Sequence, residues 1–409
     1  GFRYHTMGWA GQAMSDGFRG PGRVDGMGVV AAGNDRVTMV RNHELRGSAG
    51  PFGDPSTAWD VTGGGTTTLV FDASAERLDE SFVSLNGTLN NCAGGVTPWG
   101  TWLSCEEAVF DPESAHLGIE LRQSQWKIQD AGRPHGYVFE VPPMGVTDPQ
   151  PIPEMGQFWH EAAAVDPDSG VVYMTEDRSP LAGLYRYIPK VSGQLSAGGK
   201  LQMLRVPDHP HLDEDAVLFR RLPVEWVDID DPTLGNNPGT HDGKGVVTQG
   251  LEAGGTGFRA LEGCAFRDRQ VFFTSKNGGA RKAGYIFKLD IEQSYIELLY
   301  EAPARGGFAG PDNIIFSPRG SLVVCEDRGY GSREGQYLAG LNATGELYAF
   351  ARVNPAISGV FLGHDLAATA AVSEWAGACF SPDGQWMFAN IYQPGVTCAI
   401  TGPWKDGLI

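Results

Sequence analysis

Cysteine is scarce in this sequence, with six in 409 residues and no Cys-x-x-Cys pair. That excludes both a disulfide-stapled scaffold and a zinc-finger arrangement. Basic residues are also in deficit: 31 Lys and Arg stand against 49 Asp and Glu, a formal net charge of -18. Binding a nucleic-acid backbone or an anionic lipid surface needs clustered cations, so neither is an expected partner. No run of about 18 apolar residues occurs, so no membrane-spanning helix is expected. Walker loops, Gly-x-Ser-x-Gly elbows and His-Glu-x-x-His pairs are missing, and so are the usual signals of nucleotide, serine-hydrolase and zincin chemistry. No charged n-region with an apolar h-region is present either.

Glycine and proline, by contrast, are abundant, 57 and 26. They punctuate short β-type runs at regular intervals, which predicts many short strands joined by turns. One pattern recurs: a strand, a turn, a second strand ending in a polar or acidic cluster, then a Gly followed by aromatic-aliphatic alternation. It pairs Glu161–Val165 with Thr175–Arg178, Glu262–Phe266 with Thr274–Asn277, and Asp312–Phe316 with Cys325–Arg328. It also pairs Gly377–Phe380 with Ala389–Ile391, and a looser version pairs Gly94–Val96 with Ser104–Glu107. Val37–Glu44 followed by Thr66–Phe71 makes a sixth unit. All-strand repeats of this size bury their faces by stacking on one another, so the expected fold is all-β, a six-bladed β-propeller forming a single domain over 1–409. The stretch from about 190 to 258, with His209–Asp215 and Gly235–Pro238, reads as a long loop insertion of functional interest.

Equivalent positions in successive blades form a ring about the propeller axis. Glu161, Glu262 and Asp312 each immediately precede the first strand of a unit. Three carboxylates from distant segments should therefore meet near one end of the channel, where like charges raise one another's pKa or recruit a cation; a flexible ring of oxygens suits Ca2+. The alternative is a set of solvated loop acids. A second acidic set, Glu44, Glu106, Glu107, Glu176, Asp177, Glu326 and Asp327, follows the strands and contains ordinary turn residues as well.

Cys105, Cys264, Cys325 and Cys379 occupy repeat positions of small core residues. Cys92 differs, because Asn90–Gly95 is a polar, Gly-rich loop entering a unit at the same mouth. It is either a metal ligand or a buried thiol. A thiolate beside carboxylates suits iron or zinc better than calcium alone. Arg41–Glu44 and Trp159–Glu161 each set a His beside a candidate ligand, where a structural role is the commoner one. Arg178, Arg259, Lys276 and Arg328 are the cations near acidic motifs, either phosphate contacts or salt-bridge partners.

At Arg41–Leu45, Asn91–Glu107 and Ala376–Gly384 the sequence resembles the PhoX-type alkaline phosphatases. The tract from Cys92 to Glu107 is the specific part; the Ser-Pro-Asp-Gly turn is generic to propellers. The resemblance implies a propeller enzyme that hydrolyses phosphate monoesters with iron and calcium ions, here Fe3+ and Ca2+, acting in the periplasm or after secretion. By motif match it implies Cys92 as the thiolate ligand, with Glu106 or Glu107, Glu161, Asp177, Glu262 and Asp312 among the carboxylates and Asn42 and Glu44 as further candidates. Arg259, Arg178 and Lys276 are the expected grip on a small phosphate ester, and a monomer is expected. The family's Arg-Pro-Glu-like motif stands here as Ala260-Leu261-Glu262, with Arg259 one residue displaced. Two rival readings are a calcium-dependent lactonase-type propeller, which needs no thiolate, and a non-catalytic calcium-binding propeller.

Overall fold

The computed structural model describes all residues except 48–49, 113–129, 213–215, 236–243, 304–306, 330–334, 343–344, 371–372 and 408. Runs such as Thr66-Thr-Thr-Leu-Val-Phe71 combine β-branched and aromatic side chains with no helix-forming period, and they pair as strands. The strands assemble into six antiparallel sheets arranged in a ring, a six-bladed β-propeller. Blade 1 is Val24–Gly33, Arg36–His43, Gly64–Asp72 and Arg77–Thr88, from the axis outwards. Blade 2 has Asn91–Val96, Trp102–Glu106 and Val138–Val141. Blade 3 opens with His160–Val165 and Val172–Glu176, and blade 4 with Leu261–Arg267 and Gln270–Ser275. Blade 5 opens with Pro311–Phe316 and Leu322–Glu326. Blade 6 is Trp375–Phe380, Met387–Ile391 and Val396–Thr401, and Arg3–Met7 from the start of the chain adds its outermost strand, pairing Arg3 with Thr401 and Met7 with Thr397. That strand closes the ring non-covalently and leaves no open seam between the chain's two ends.

The six innermost strands pack side by side around the axis. Their close approach explains glycine at two positions. A Cβ on Gly26 would lie 2.5 Å from Ala93 Cα of the next blade, and one on Gly263 would lie 2.5 Å from the Asp312 carbonyl oxygen. Farther out, large side chains fill the spaces between blades. Phe71 of blade 1 meets Phe388 of blade 6 edge to face at 5.3 Å, and Phe258, Phe273 and Phe287 cluster within blade 4 and against blade 3. Such edge-to-face contacts add to the burial of each ring, on the order of 150 Å² or more.

Two expectations change. In blade 1 the axial strand is Val24–Gly33, and Val37–Glu44 is its second strand, so the true repeat begins earlier than the motif suggests. Residues 190–258 are not a bare loop. Gly199–Arg205 and Glu225–Asp228 are the fourth and fifth strands of blade 3, Arg221–Pro223 is the outer strand of blade 4, and Val246–Glu252 is a short helix. Leu201 and Met203 are buried by that pairing, while the Pro-, His- and Asp-rich flanks mask the short alternating run. Of the segments named in that stretch, 213–215 and 236–238 lie outside the described residues.

Phe388 is fully buried between blades 1 and 6. Phe388→Ala should cost about 3–5 kcal/mol in denaturant unfolding through lost transfer energy and the cavity left behind. A cost below about 1 kcal/mol would mean that this seam does not hold the ring.

Candidate metal centre

Each axial strand carries a β-bulge near its start, so that two of its residues oppose one on the second strand. In blade 4 the pairs Leu261–Ser275 and Cys264–Phe273 enclose Glu262 and Gly263, opposed only by Thr274. The same interruption lies between Val24 and Met27, Asn91 and Gly94, Pro311 and Ile314, Ala376 and Cys379, and opposite Met174 and Glu176 in blade 3. The bulge turns the residue after the first pair toward the axis. In five blades that residue is Asp25, Cys92, Glu161, Glu262 or Asp312, whereas in blade 6 Ala376 still pairs with Asn390 and the bulge begins at Gly377. A second ring comes from the partner strand: the residue just past the pair is Glu44, Glu107, Asp177, Lys276, Asp327 and Tyr392 in blades 1 to 6. Both rings line one cavity of about 170 Å³, joined by Arg46, Gly329 and Glu374.

In blades 1, 3 and 4 the residue opposing the bulge ties its blade to the next, and bonds from Asn390 in blade 6 and to Asn313 in blade 5 do the same at two further boundaries. Asn42 Nδ2 donates to the carbonyl oxygens of Cys92 and Ala93, at 3.2 and 2.6 Å. Thr175 Oγ1 donates to the Glu262 carbonyl at 2.5 Å, Thr274 Oγ1 to the Asp312 carbonyl at 2.9 Å, and Asn390 Nδ2 to the Asp25 carbonyl at 2.6 Å. Asn313 Oδ1 accepts from the Gly377 amide at 2.7 Å. Backbone freed by the bulge is thereby satisfied across the blade boundary, and the cavity-lining residues are held by their own main chain.

Nine carboxylates line the cavity, against two cations, Arg46 and Lys276. Cys92 Sγ donates to Glu161 Oε1 at 3.1 Å and lies 3.6 Å from Asp25 Oδ2. Burial first, and then neighbouring charge, pushes Asp25, Glu107, Glu161 and Glu262 well above the usual carboxylate range, and Asp312 up to about 6, with Lys276 pulling the last two back. Burial and the same acids push the Cys92 thiol up. Burial works against the Lys276 ammonium, yet Glu262, Asp312 and Asp327 hold it well above its ordinary value. Three groups of potential ligand atoms converge within 4.8 Å: Asp25, Glu44 and Cys92; Cys92, Glu107 and Glu161; Glu161, Glu262 and Asp312. Cys92 and Glu161 are each shared by two groups, so the three form a chain across the mouth.

Of the residues expected from sequence, Cys92, Glu44, Glu107, Glu161, Asp177, Glu262, Asp312 and Lys276 meet in this cavity. Asp327 of the second acidic set joins them, whereas Glu106, Glu176, Glu326, Asn42, Arg178, Arg259 and Arg328 do not line it. Glu106 is fully buried one strand away, where its oxygens accept from the amides of Leu89, Gly136 and Tyr137 and from His135 Nδ1 at 2.7 Å. Glu176 and Glu326 do the same in blades 3 and 5, taking amides of Gly183 and Tyr337. In each Glu-acid pair the first residue braces the third strand and only the second reaches the cavity. Asn42 is the inter-blade clamp on Cys92 and Ala93, and its Oδ1 also accepts from Trp102 Nε1 and Ser104 Oγ at 2.9 Å. Arg178 acts on Glu176, one strand outwards. Arg259 precedes a sharp turn in which Ala260 takes a φ of 44°, so the chain enters the axial strand only after it. Arg328 bonds Glu326 at 2.5 Å. Both histidines are structural: His43 bonds Gly22 O and Thr67 Oγ1, and His160 bonds Gly156 O and stacks on Phe158. Asp25, Arg46, Glu374 and Tyr392 complete the lining. Asp25 does carry a signal, since Val24-Asp25-Gly26 repeats Leu261-Glu262-Gly263; Glu374 and Tyr392 carry none.

The model of the family described as "Alkaline phosphatase PhoX" matches residues 56–395. No curated protein matches the sequence. Among solved structures, Pseudomonas fluorescens PhoX in complex with vanadate, a transition state analogue, superposes with a TM-score of 0.66 at 18% identity, covering 98% of this chain and 95% of that one. A gluconolactonase from Xanthomonas campestris covers 98% of this chain and 90% of that one at 12% identity, but its TM-score of 0.42 is too low to bear on function.

Two outcomes test this geometry. Thr274→Val keeps the shape but strands the Asp312 carbonyl, and should cost about 1–3 kcal/mol of stability; a neutral change would mean that the inter-blade bond does not hold the bulge. His135 lies between Glu106 at 2.7 Å and Asp60 at 3.4 Å. Burial opposes its charge, but Glu106 and Asp60 raise its pKa from 6.5 to about 9. The charge therefore stabilises the fold fully below about pH 6.5, and that contribution is lost as pH rises through about 9, on the order of 3 kcal/mol in total. Urea unfolding from pH 6 to 9.5 should show this decline in the parent chain and not in His135→Gln; equal slopes would refute it.

Proposed function

The chain belongs to the alkaline phosphatase PhoX family, whose members are metal-dependent phosphatases, and we propose from that premise that it hydrolyses phosphate monoesters with iron (Fe3+) and calcium (Ca2+) ions held in the cavity at the channel mouth. The observation that carries the reading is Glu161. It is fully buried, belongs to two of the three ligand groups, and its Oε2 has no hydrogen-bond partner among the described residues. A buried, unpartnered carboxylate oxygen is costly unless a cation completes it.

The donor set fits the proposed ions. Cys92, with Asp25, Glu44, Glu107 and Glu161 around it, offers the mixed thiolate and oxygen environment that suits iron. Glu161, Glu262 and Asp312 offer oxygen alone, the preference of calcium. When bound, the cations would neutralise phosphoryl oxygens and act as Lewis acids toward the attacking and leaving oxygens. The protein's own residues contribute position and sign. The bulges aim the ligands at the axis, the inter-blade bonds fix their main chain, and Lys276 and Arg46 are the two basic residues of the lining. Vanadate binds the Pseudomonas fluorescens PhoX as a transition state analogue; here the corresponding seat would be the open side of this cavity. Among the described residues no helix is long and apolar enough to cross a membrane, and a periplasmic or secreted location accords with the family.

Metal analysis of protein purified without chelators, alongside a phosphomonoesterase assay, tests the proposal directly. Cys92→Ala should lose iron and at least about 100-fold in activity, since outer-shell changes alone cost 10–100-fold. Full activity with unchanged iron would overturn the assignment. Glu107→Gln should lower metal content, whereas Glu106→Gln should lower stability first.

A further inference from the structure

Lys276 is the one basic residue in the second ring, at a position filled by acids in four of the other five blades. Its Nζ lies 3.2 Å from Asp312 Oδ2 and 3.6 Å from Glu262 Oε1, and it contacts Asp327. Glu262 and Asp312 are two of the three members of the ligand group completed by Glu161. We propose that Lys276 is a tethered counter-ion resident in this outer subsite, and that a metal cation entering among Glu161, Glu262 and Asp312 displaces its ammonium. The inference rests on the metal-centre reading and extends it to what occupies this subsite before a metal enters.

The ammonium and an entering metal compete for the same oxygens. A calcium ion coordinates carboxylates at about 2.3–2.6 Å, and an ammonium bonded to two of the same carboxylates must give way or share them against direct repulsion. At the Cys92 end of the cavity Arg46 reaches Glu44 Oε1 at 3.2 Å, and its Nε donates to Asn90 Oδ1 at 2.8 Å. A metal entering beside Lys276 displaces a charge that stays tethered nearby and competes for the site again.

A lysine suits an exchangeable counter-ion better than an arginine. Its charge is a compact point at the end of a flexible stem, with no fork to hold it in one geometry. Asp327 gives it somewhere to go. That carboxylate belongs to none of the three ligand groups and is fixed by the Gly329 amide at 2.7 Å. Displaced from Glu262 and Asp312, the ammonium keeps Asp327. Because coupling is reciprocal, an anion that draws Lys276 outwards must tighten the cation by the same factor that the cation tightens the anion.

Calcium calorimetry on the full chain stripped of metal by chelator tests this. The parent should bind calcium, and Lys276→Met should tighten that binding by roughly tenfold or more, within the usual range of coupling between sites. Unchanged or weaker binding in a Lys276→Met variant with a parent-like melting curve overturns the proposal alone. No calcium binding by either chain overturns the metal reading and the proposal with it. The parent chain gives a second test that needs no variant. In a crystal structure with calcium at the Glu161, Glu262 and Asp312 subsite, Lys276 Nζ should have left Asp312. A calcium ion there with the ammonium still bonded to Asp312 overturns the proposal.

Discussion

The hydrogen bonds that cross from one blade to the next at the bulges are the constraint on which the centre depends. A propeller blade by itself places a side chain only as well as its own sheet does. Here the Asp25, Cys92, Glu262 and Asp312 carbonyls are each held by a side chain of the preceding blade, from Asn390, Asn42, Thr175 and Thr274. The main chain of these four ligands is thus registered to the preceding blade, and the outer strand Arg3–Met7 closes the ring.

The bulge also resolves a conflict that a regular strand would leave. In a flat ladder, alternate side chains point to opposite faces and none points down the axis. Inserting one residue re-aims the side chain and frees backbone groups, and the crossing bonds satisfy those groups again. Large axial side chains beyond the acids are excluded by the same closeness, since even a Cβ at Gly26 or Gly263 would collide with the adjacent blade. Site geometry and packing at the axis are one arrangement, written in the same four-residue windows.

That arrangement explains how much of the centre is legible in the sequence. The bulge windows His160-Glu-Ala-Ala163, Leu261-Glu-Gly-Cys264 and Pro311-Asp-Asn-Ile314 repeat visibly, so register alone places Glu161, Glu262 and Asp312. Cys92 and Asp25 sit in windows of the same form, Asn91-Cys-Ala-Gly94 and Val24-Asp-Gly-Met27. The first has a thiol where the others have an acid and rests on motif resemblance, and the second lies ahead of Val37–Glu44, which reads in sequence as the opening of its unit. Glu106 and Glu107 cannot be told apart in sequence, because adjacent residues on a strand point to opposite faces and only the pairing of Asn91 with Glu106 decides which is inside. Arg259 is misleading for a related reason: the positive φ of Ala260 is invisible in sequence and turns the chain just before the axial strand begins. Arg46 and Glu374 enter from loops, where no periodicity constrains them.

Net charge bears directly on the chemistry. A chain of formal charge -18 repels a phosphate ester at long range, and nine cavity carboxylates against two cations repel it more strongly at the mouth. Without bound cations this is an unfavourable place for an anion. Burial adds to the cost, since it raises Asp25, Glu107, Glu161 and Glu262 together and leaves none of the four able to carry its charge cheaply. The stable outcome for such a cluster is to take up cations of high charge, which lets the acids ionise and reverses the local field. Selectivity then comes from within the cavity: the thiol at Cys92 distinguishes one end chemically from the oxygen-only end near Asp312, where Lys276 already supplies part of the positive charge.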